Sequence, residues 1–181
     1  MQTQRLETAR LYLEPLTLED APKIQACFPR WEIVKYLTRK VPWPYPDNGA
    51  DSFCRASLAA MEKETDWIWT LRPKSNHSQV IGLIRLALEP NNNRGFWLVP
   101  EWQGQGYMSE ACDAATTFWF TVLGQSVLRA PKAKLNYASQ KISEKTGMRI
   151  IDEGIGEYHI GDVASTLWEI THDEWLAQNN I

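Results

Sequence analysis

The stretch Gln103-Gly-Gln-Gly-Tyr-Met108 carries the clearest chemical signal in this sequence. An apolar run ends at Val99, glycines follow at 104 and 106, and helical spacing of apolar residues begins near Tyr107. Strand, glycine loop and helix start together make a general anion site. The first helical N–H groups have no internal partners and the helix dipole adds partial positive charge, so a pyrophosphate fits there. Gly104 and Gly106 let the main chain approach phosphates closely and adopt unusual angles. Two common nucleotide designs do not match. No G-x-x-x-x-G-K-[ST] string occurs, and the third residue after Gly106 is Ser109, where a dinucleotide fingerprint needs glycine. Metal chemistry has no candidate set. Cys27, Cys54 and Cys112, and His77, His159 and His172, are scattered without ligand spacing.

The elements that must position this loop follow from periodicity. Arg10 to Glu14 alternates as a first strand, and Thr17-Leu-Glu-Asp20 is a capping box opening a helix to about Phe28. Trp31 to Leu37 reads as a short helix. Three prolines between Val41 and Pro46 exclude regular structure and predict a rigid extended loop. Asp47 to Lys63 is a helix. Trp67 to Leu71, Gln79 to Leu88 and Arg94 to Val99 form an antiparallel meander, with Val127 to Lys134 as a fourth strand. Met108 to Leu123 has an apolar helical face, stopped by Gly124. Ala138 to Thr146 is a short helix closed by Gly147, and strands over Arg149 to Ile155 and Ala164 to Thr171 close the chain. The order predicts a mixed α/β architecture with helices covering a central sheet.

Bulk properties narrow the function. At 181 residues the chain is expected to be one domain. A net charge of -3 argues against nucleic-acid binding, which needs a strongly basic face. Unpaired thiols suit a reducing compartment. The first residues lack the apolar core of a signal peptide, and the most apolar run, Val80 to Leu88, is too short to span a bilayer. The expectation is a cytoplasmic protein with no membrane partner. Nine tryptophans are read chiefly as core, with Trp31 and Trp43 as candidates for a substrate groove.

The flanking residues give the glycine loop its family. Gln103-Gly-Gln-Gly106-Tyr-Met108 resembles the Q/R-x-x-G-x-G/A acetyl-CoA signature of GCN5-related N-acetyltransferases (GNAT), with Met108 standing where glycine or alanine is usual and Gln105 replacing a common basic residue. The longer string Pro100 to Ala111 is similar to the P-E-x-W-G-K-G-Y-A-T-E-A region of the branch containing ribosomal-protein-alanine acetyltransferases. Downstream, Asn136 to Met148 resembles the N-x-x-S-x-x-v-x-E-K-x-G-F string of that branch. Leu6 to Leu13, Asp20 and Ile81-Gly82 match its earlier motifs, so the likeness covers nearly the whole chain in order.

The resemblance implies a GNAT-like α/β fold, with a mixed, mostly antiparallel central sheet flanked by helices, and residues 1–181 as a single acetyl-CoA-dependent N-acetyltransferase domain. It implies acetyl-CoA as cosubstrate, no metal, and an amine acceptor: foremost a protein N-terminal α-amine such as that of a ribosomal protein. A small-molecule amine (amino acid, polyamine or aminoglycoside) and a non-catalytic CoA-binding module are the alternatives, and a homodimer is left open. In such enzymes the strand before the loop splays from its neighbour and holds the pantetheine, here through Leu98 and Val99. Gln103, Gly104, Gln105, Gly106, Tyr107 and Met108 would hold the diphosphate, and Asn136 belongs to the second motif. Ser139 matches a serine that protonates the leaving thiolate, while Ser143 stands where many relatives carry a tyrosine in that role. Glu157 lies near a glutamate used as general base, and helix capping is the plainer explanation of Ser139. The basic run Arg129, Lys132, Lys134, Lys141, Lys145 and Arg149 is read as a solvated face, or as attraction for the CoA 3′-phosphate.

Overall fold

The computed structural model describes residues 1–180. Its elements are β1 (Leu6–Glu7), β2 (Leu11–Pro15), α1 (Ala21–Cys27), α2 (Trp31–Val34), α3 (Gly49–Glu62), β3 (Asp66–Pro73), β4 (Gly82–Ala87), β5 (Arg94–Leu98), α4 (Tyr107–Thr117), β6 (Val127–Ala133), α5 (Tyr137–Lys145), β7 (Arg149–Tyr158), β8 (Gly161–Thr171) and α6 (His172–Asn179). The expected mixed, antiparallel architecture is present, but the strands divide into two sheets. One is five-stranded in the order β1-β2-β3-β4-β5; the other is three-stranded in the order β6-β8-β7. Val127–Ala133 is therefore no fourth strand of the meander; it is the edge of the second sheet.

Several boundaries shift for local reasons. The Thr17 capping box forms with Asp20, but it opens a 3₁₀ turn over Leu18–Asp20 before α1, which starts with proline in its first turn. The helix expected over Met108 to Leu123 is α-helical only to Thr117 and then widens to a π turn over Phe118–Val122. That widening lets Trp119 and Phe120 both bury, while Trp119 Nε1 donates to Val127 O at 2.8 Å. Two elements were not anticipated. β1 is only two residues long. α6 does carry a readable start, a reciprocal capping box between Thr171 and Glu174.

The core packs between the sheets and helices. Six of the nine tryptophans (67, 69, 97, 119, 168 and 175) are buried, and Trp69 and Trp119 are fully enclosed. Trp69 meets Phe118 edge-on with ring centroids 5.2 Å apart. Cys54 and Cys112 are buried and Cys27 is half-buried; none is disulfide-bonded. Burial pushes the Cys27 and Cys54 thiols up to about 11, and it raises Cys112 as well. No helix among the described residues is long and apolar enough to cross a membrane.

Asn93 joins the two sheets at one end. Its N–H donates to Arg129 O at 2.7 Å and its Oδ1 accepts from Arg129 N at 2.8 Å. Its Nδ2 donates back to Ala87 O and Glu89 O, at 3.1 and 2.8 Å. The residue is 8% exposed, so these bonds lie away from water. Asn93→Ala is expected to lower stability by about 2–4 kcal/mol, through lost bonds and orphaned buried groups. A urea melt with unchanged slope and a lower midpoint checks this.

Candidate active site

Beyond Asn93 the two edge strands part. On β5, Ala87 N bonds to Asn93 O and Val99 N to Ile81 O, so odd-numbered residues face β4. The main-chain groups of Phe96 and Leu98 therefore face the gap. On β6, bonds from His172 N to Ser126 O and from Lys134 N to Ala164 O turn even-numbered residues toward β8. Pro131 thus faces the gap, where its missing N–H costs no ladder bond. Of the two strand residues expected to hold pantetheine, Leu98 presents its amide to the opening. Val99 does not: its N–H is engaged by Ile81 O and its carbonyl by Trp102 N. Phe96, outside the expected set, turns its main-chain groups to the opening as Leu98 does, and strand alternation was the signal for it.

The glycine loop lies at the mouth of this gap. Gly104 and Gly106 have φ of 73° and 85°, and Gly106 is the left-handed N-cap of α4 with no side-chain cap. The first N–H groups of α4 are left without capping partners, as an anion cradle requires. Gln103 Nε2 donates to Leu98 O at 2.8 Å, and Gln105 Nε2 to Glu101 O at 3.0 Å, so both glutamines brace the loop. Met108 is buried in the core, so its bulk points inward. Tyr107 stacks edge-on against Trp102, with ring centroids 5.1 Å apart.

Arg10, outside the expected set, ties the loop to the N-terminal strands. Its guanidinium donates to Gln105 O at 3.0 Å and to Glu110 Oε2 at 2.8 Å, and lies 4.1 Å from the Tyr107 ring centroid. Although burial works against its charge, hydrogen bonds from Thr8 and from Arg10 hold Glu110 below the usual carboxylate range.

Two cavities open along β5, both lined by Phe96 and Trp97. One, of ≈ 800 Å³, runs along Gln103, Gly104, Gly106 and Met108, with Lys141 and Lys145 of α5 on its wall. Neither lysine forms an ion pair among the described residues, whereas Arg129, Lys134 and Arg149 of the basic run all do. The other, of ≈ 700 Å³, is walled by α1, α3 and the proline loop, including Phe28, Tyr45 and Phe53. It carries Lys40, Arg85, Arg94 and Lys132 and no aspartate or glutamate. Trp31 and Trp43 line neither cavity; they are exposed and lean on each other.

The cavities meet at Asn136 and Ser139, which line both together with Phe96. Asn136 caps α5, its Oδ1 accepting Ser139 N at 3.3 Å, which leaves the Ser139 hydroxyl free of any capping duty. Ser139 Oγ instead accepts a 2.7 Å bond from Lys132 Nζ. Ser143 is wholly buried and its hydroxyl has no partner among the described residues. Glu157 is not brought to this junction. It is exposed on β7 and lines neither cavity, while its neighbour Tyr158 lines the second one. Burial of Lys132 was not anticipated, yet alternation with Leu128 and Ala130 places all three on one face of β6.

This geometry agrees with what known proteins show. A model of the GNAT acetyltransferase domain matches residues 10–149, and the chain belongs to that family: it is an acetyl-CoA-dependent acetyltransferase. It is 29% identical over 154 residues to the uncharacterized N-acetyltransferase YoaA of Bacillus subtilis (strain 168), covering 80% of this chain and 82% of that one. Among solved structures it is similar to the ribosomal-protein-S5-alanine acetyltransferase of Vibrio fischeri, with TM-score 0.82, 16% identity and coverage of 95% and 98%. It is also similar to RimL, a ribosomal L7/L12 α-N-protein acetyltransferase in complex with coenzyme A, with TM-score 0.78, 15% identity and coverage of 94% and 99%.

The open space at the loop gives a direct test. A Cβ added at Gly104 would meet no protein atom within 4 Å, whereas at Gly106 it would come 3.3 Å from Arg10 Nη2. Alanine at either position carries about 1 kcal/mol of backbone strain. If a diphosphate occupies the space beside Gly104, Gly104→Ala weakens CoA binding by about tenfold or more beyond that strain, which calorimetry with CoA measures. Unchanged affinity in both variants removes the loop as the phosphate site.

Proposed function

We propose that this protein acetylates a protein N-terminal α-amine, with that of a ribosomal protein as the leading candidate, and that Ser139 protonates the leaving sulfur. The observation that carries the proposal is the meeting of two unlike cavities at one buried hydroxyl. On one side lie the amide-lined loop, the wedge between β5 and β6, and Lys141 and Lys145 of α5. They suit the diphosphate, the pantetheine amides and the 3′-phosphate of CoA in turn. On the other side lies a largely apolar chamber that can take the end of a chain.

When bound, acetyl-CoA supplies a thioester whose carbonyl carbon accepts the amine and whose sulfur departs as a thiolate. The protein's contribution is mainly alignment. Phe96 offers its main-chain N–H and carbonyl to the pantetheine arm and Leu98 its N–H, the Leu98 carbonyl being held by Gln103, and Asn136 fixes the first turn of α5 so that Ser139 faces the junction. An α-amine has a pKa of about 7.7–8.0, so a useful fraction is neutral near pH 7 and can shed its proton to solvent. Glu157 has no place at the junction in this scheme.

The acceptor wall argues for a class of amine. Lys40, Arg94 and Lys132 line it without a carboxylate partner among the described residues, while Arg85 is paired with Asp66 and Glu89 behind the wall, although the protein as a whole is acidic. Polyamines and aminoglycosides carry several positive charges and gain nothing from such a wall. An α-amine on a neutral or acidic segment fits it. The known activities of structural relatives on ribosomal proteins support the same choice.

Two measurements test this. In an acetyl-CoA turnover screen, N-terminal peptides with acidic residues near the amine should exceed spermidine and aminoglycosides by about tenfold or more in kcat/KM, which corresponds to about 1.4 kcal/mol. Preference for the polycations overturns the acceptor assignment. Ser139→Ala should lower kcat by about 10²-fold or more, with little change in melting temperature. An unchanged kcat removes Ser139 from the reaction.

A further inference from the structure

We propose that Lys132 and Ser139 act as a proton relay: Ser139 gives its hydroxyl proton to the departing sulfur, and Lys132 replaces it. The idea rests on the reading of Ser139 above and goes beyond it by assigning a source for the proton. Lys132 Nζ donates to Ser139 Oγ at 2.7 Å, so the serine oxygen already accepts, and its own hydrogen is free to point elsewhere. No other bond of this hydroxyl is found among the described residues, and Ser139 lines both cavities. The pair is largely buried at the cavity wall. Lys132 is 5% exposed and Ser139 8%, and the ammonium lies 5.0 Å from the Phe96 ring centroid.

The charges facing Lys132 explain why it can release a proton. Arg94 approaches from β5 and Cys112 from α4. Arg94 is itself 3% exposed and, among the described residues, is bonded through its side chain to Thr116 Oγ1 and Met148 Sδ, with Nε unpartnered. Neither cation has a carboxylate partner among the described residues. Burial pushes the Lys132 ammonium down to about 7, the Arg94 charge adds to the fall, and Cys112 opposes it. An unpaired buried lysine costs stability, and methionine in its place would not carry that cost. Its presence at the reaction junction points to use.

The proton count closes. The acceptor nitrogen's lone pair forms the new C–N bond, and the electron pair of the C–S bond goes to sulfur. Sulfur takes the Ser139 hydroxyl proton, and Ser139 takes one from the Lys132 ammonium, leaving that lysine neutral. The proton shed by the nitrogen as it becomes an amide restores the ammonium through solvent. One proton lost by the amine equals one gained by the thiol. Lys132 touches no substrate in this scheme; it acts through Ser139.

The experiment compares the intact protein with Lys132→Met, Lys132→Arg, Ser139→Ala and the Ser139→Ala/Lys132→Met double variant, with both substrates saturating. In the unmodified protein kcat falls as pH rises through the lysine's titration, because the neutral amine has no proton to pass on. Lys132→Met lowers kcat by about 10- to 100-fold, leaves the KM for acetyl-CoA within about threefold, and abolishes that basic limb. Lys132→Arg keeps the donor but holds its proton at every pH, so it is equally slow and also lacks the limb. The double variant is no slower than Ser139→Ala alone, as expected of groups that act as a unit.

A second readout needs no turnover. The unfolded chain's lysine binds a proton that the folded one has lost, so the stability of the unmodified protein relative to Lys132→Met is flat below pH 7 and rises from there toward pH 10. A pH-independent difference overturns the neutral lysine, and with it the relay. A Lys132→Met protein that keeps both kcat and the basic limb overturns the relay but leaves acetyl transfer standing. Failure of the unmodified protein to acetylate any amine removes both.

Discussion

An edge strand leaves half of its main-chain groups without partners, and such groups must find something to bond. Here two edges face one another. β5 and β6 share the Asn93–Arg129 connection and then diverge, so Phe96 and Leu98 on one side confront a proline-bearing edge on the other. The candidate site is arranged around this gap. The glycine loop continues directly from β5, α5 follows directly from β6, and the two cavities communicate where the strands part. A pantetheine arm, with its own amides, is chemically suited to complete what neither sheet completes for itself.

The loop that would hold the diphosphate depends on contacts far away in sequence. Arg10 and Thr8, near the N-terminus, hold Glu110 on α4, and Arg10 also reaches the Gln105 carbonyl. The short β1–β2 region is thus tied to the anion site as well as to the sheet. Trp67 and Trp69 reinforce the arrangement by donating their indole N–H groups to the carbonyls of Met1 and Gln4, at 2.8 and 2.7 Å. The positioning of the loop is a tertiary property, although its backbone freedom is local.

That division between local and tertiary explains what could be read in advance. The Gln103–Met108 segment was legible as a glycine turn opening a helix because backbone geometry dictates it, whereas Asn136 and Ser139 stood out only through family likeness, and the capping of α5 by Asn136 was not read. The strand order within the meander was legible from turns and alternation. The split between sheets was not read, beyond the splayed strand that family likeness implied, since Val127–Ala133 has the same pattern whichever sheet it joins. Lys132 was read among six basic residues as part of a solvated face, because charge is the stronger local cue. Its alternation with Leu128 and Ala130 carried the opposite message, and the fold favoured it. Glu157 and Val99 depend on strand phase, which family likeness does not supply: the Val99 main chain faces Ile81 and Trp102, and Tyr158, next to Glu157, is the β7 residue that lines a cavity.

The three cysteines have a practical consequence. Reaction of a thiol with a disulfide reagent proceeds through its thiolate. With Cys27 and Cys54 held near 11 and Cys112 enclosed and likewise raised, the folded chain presents almost no thiolate at neutral or mildly alkaline pH. Coenzyme A liberated in solution, by contrast, is an accessible thiol of ordinary acidity. A colorimetric thiol assay can therefore follow turnover continuously with little background from the folded protein itself, and a late rise in signal without acceptor would report unfolding.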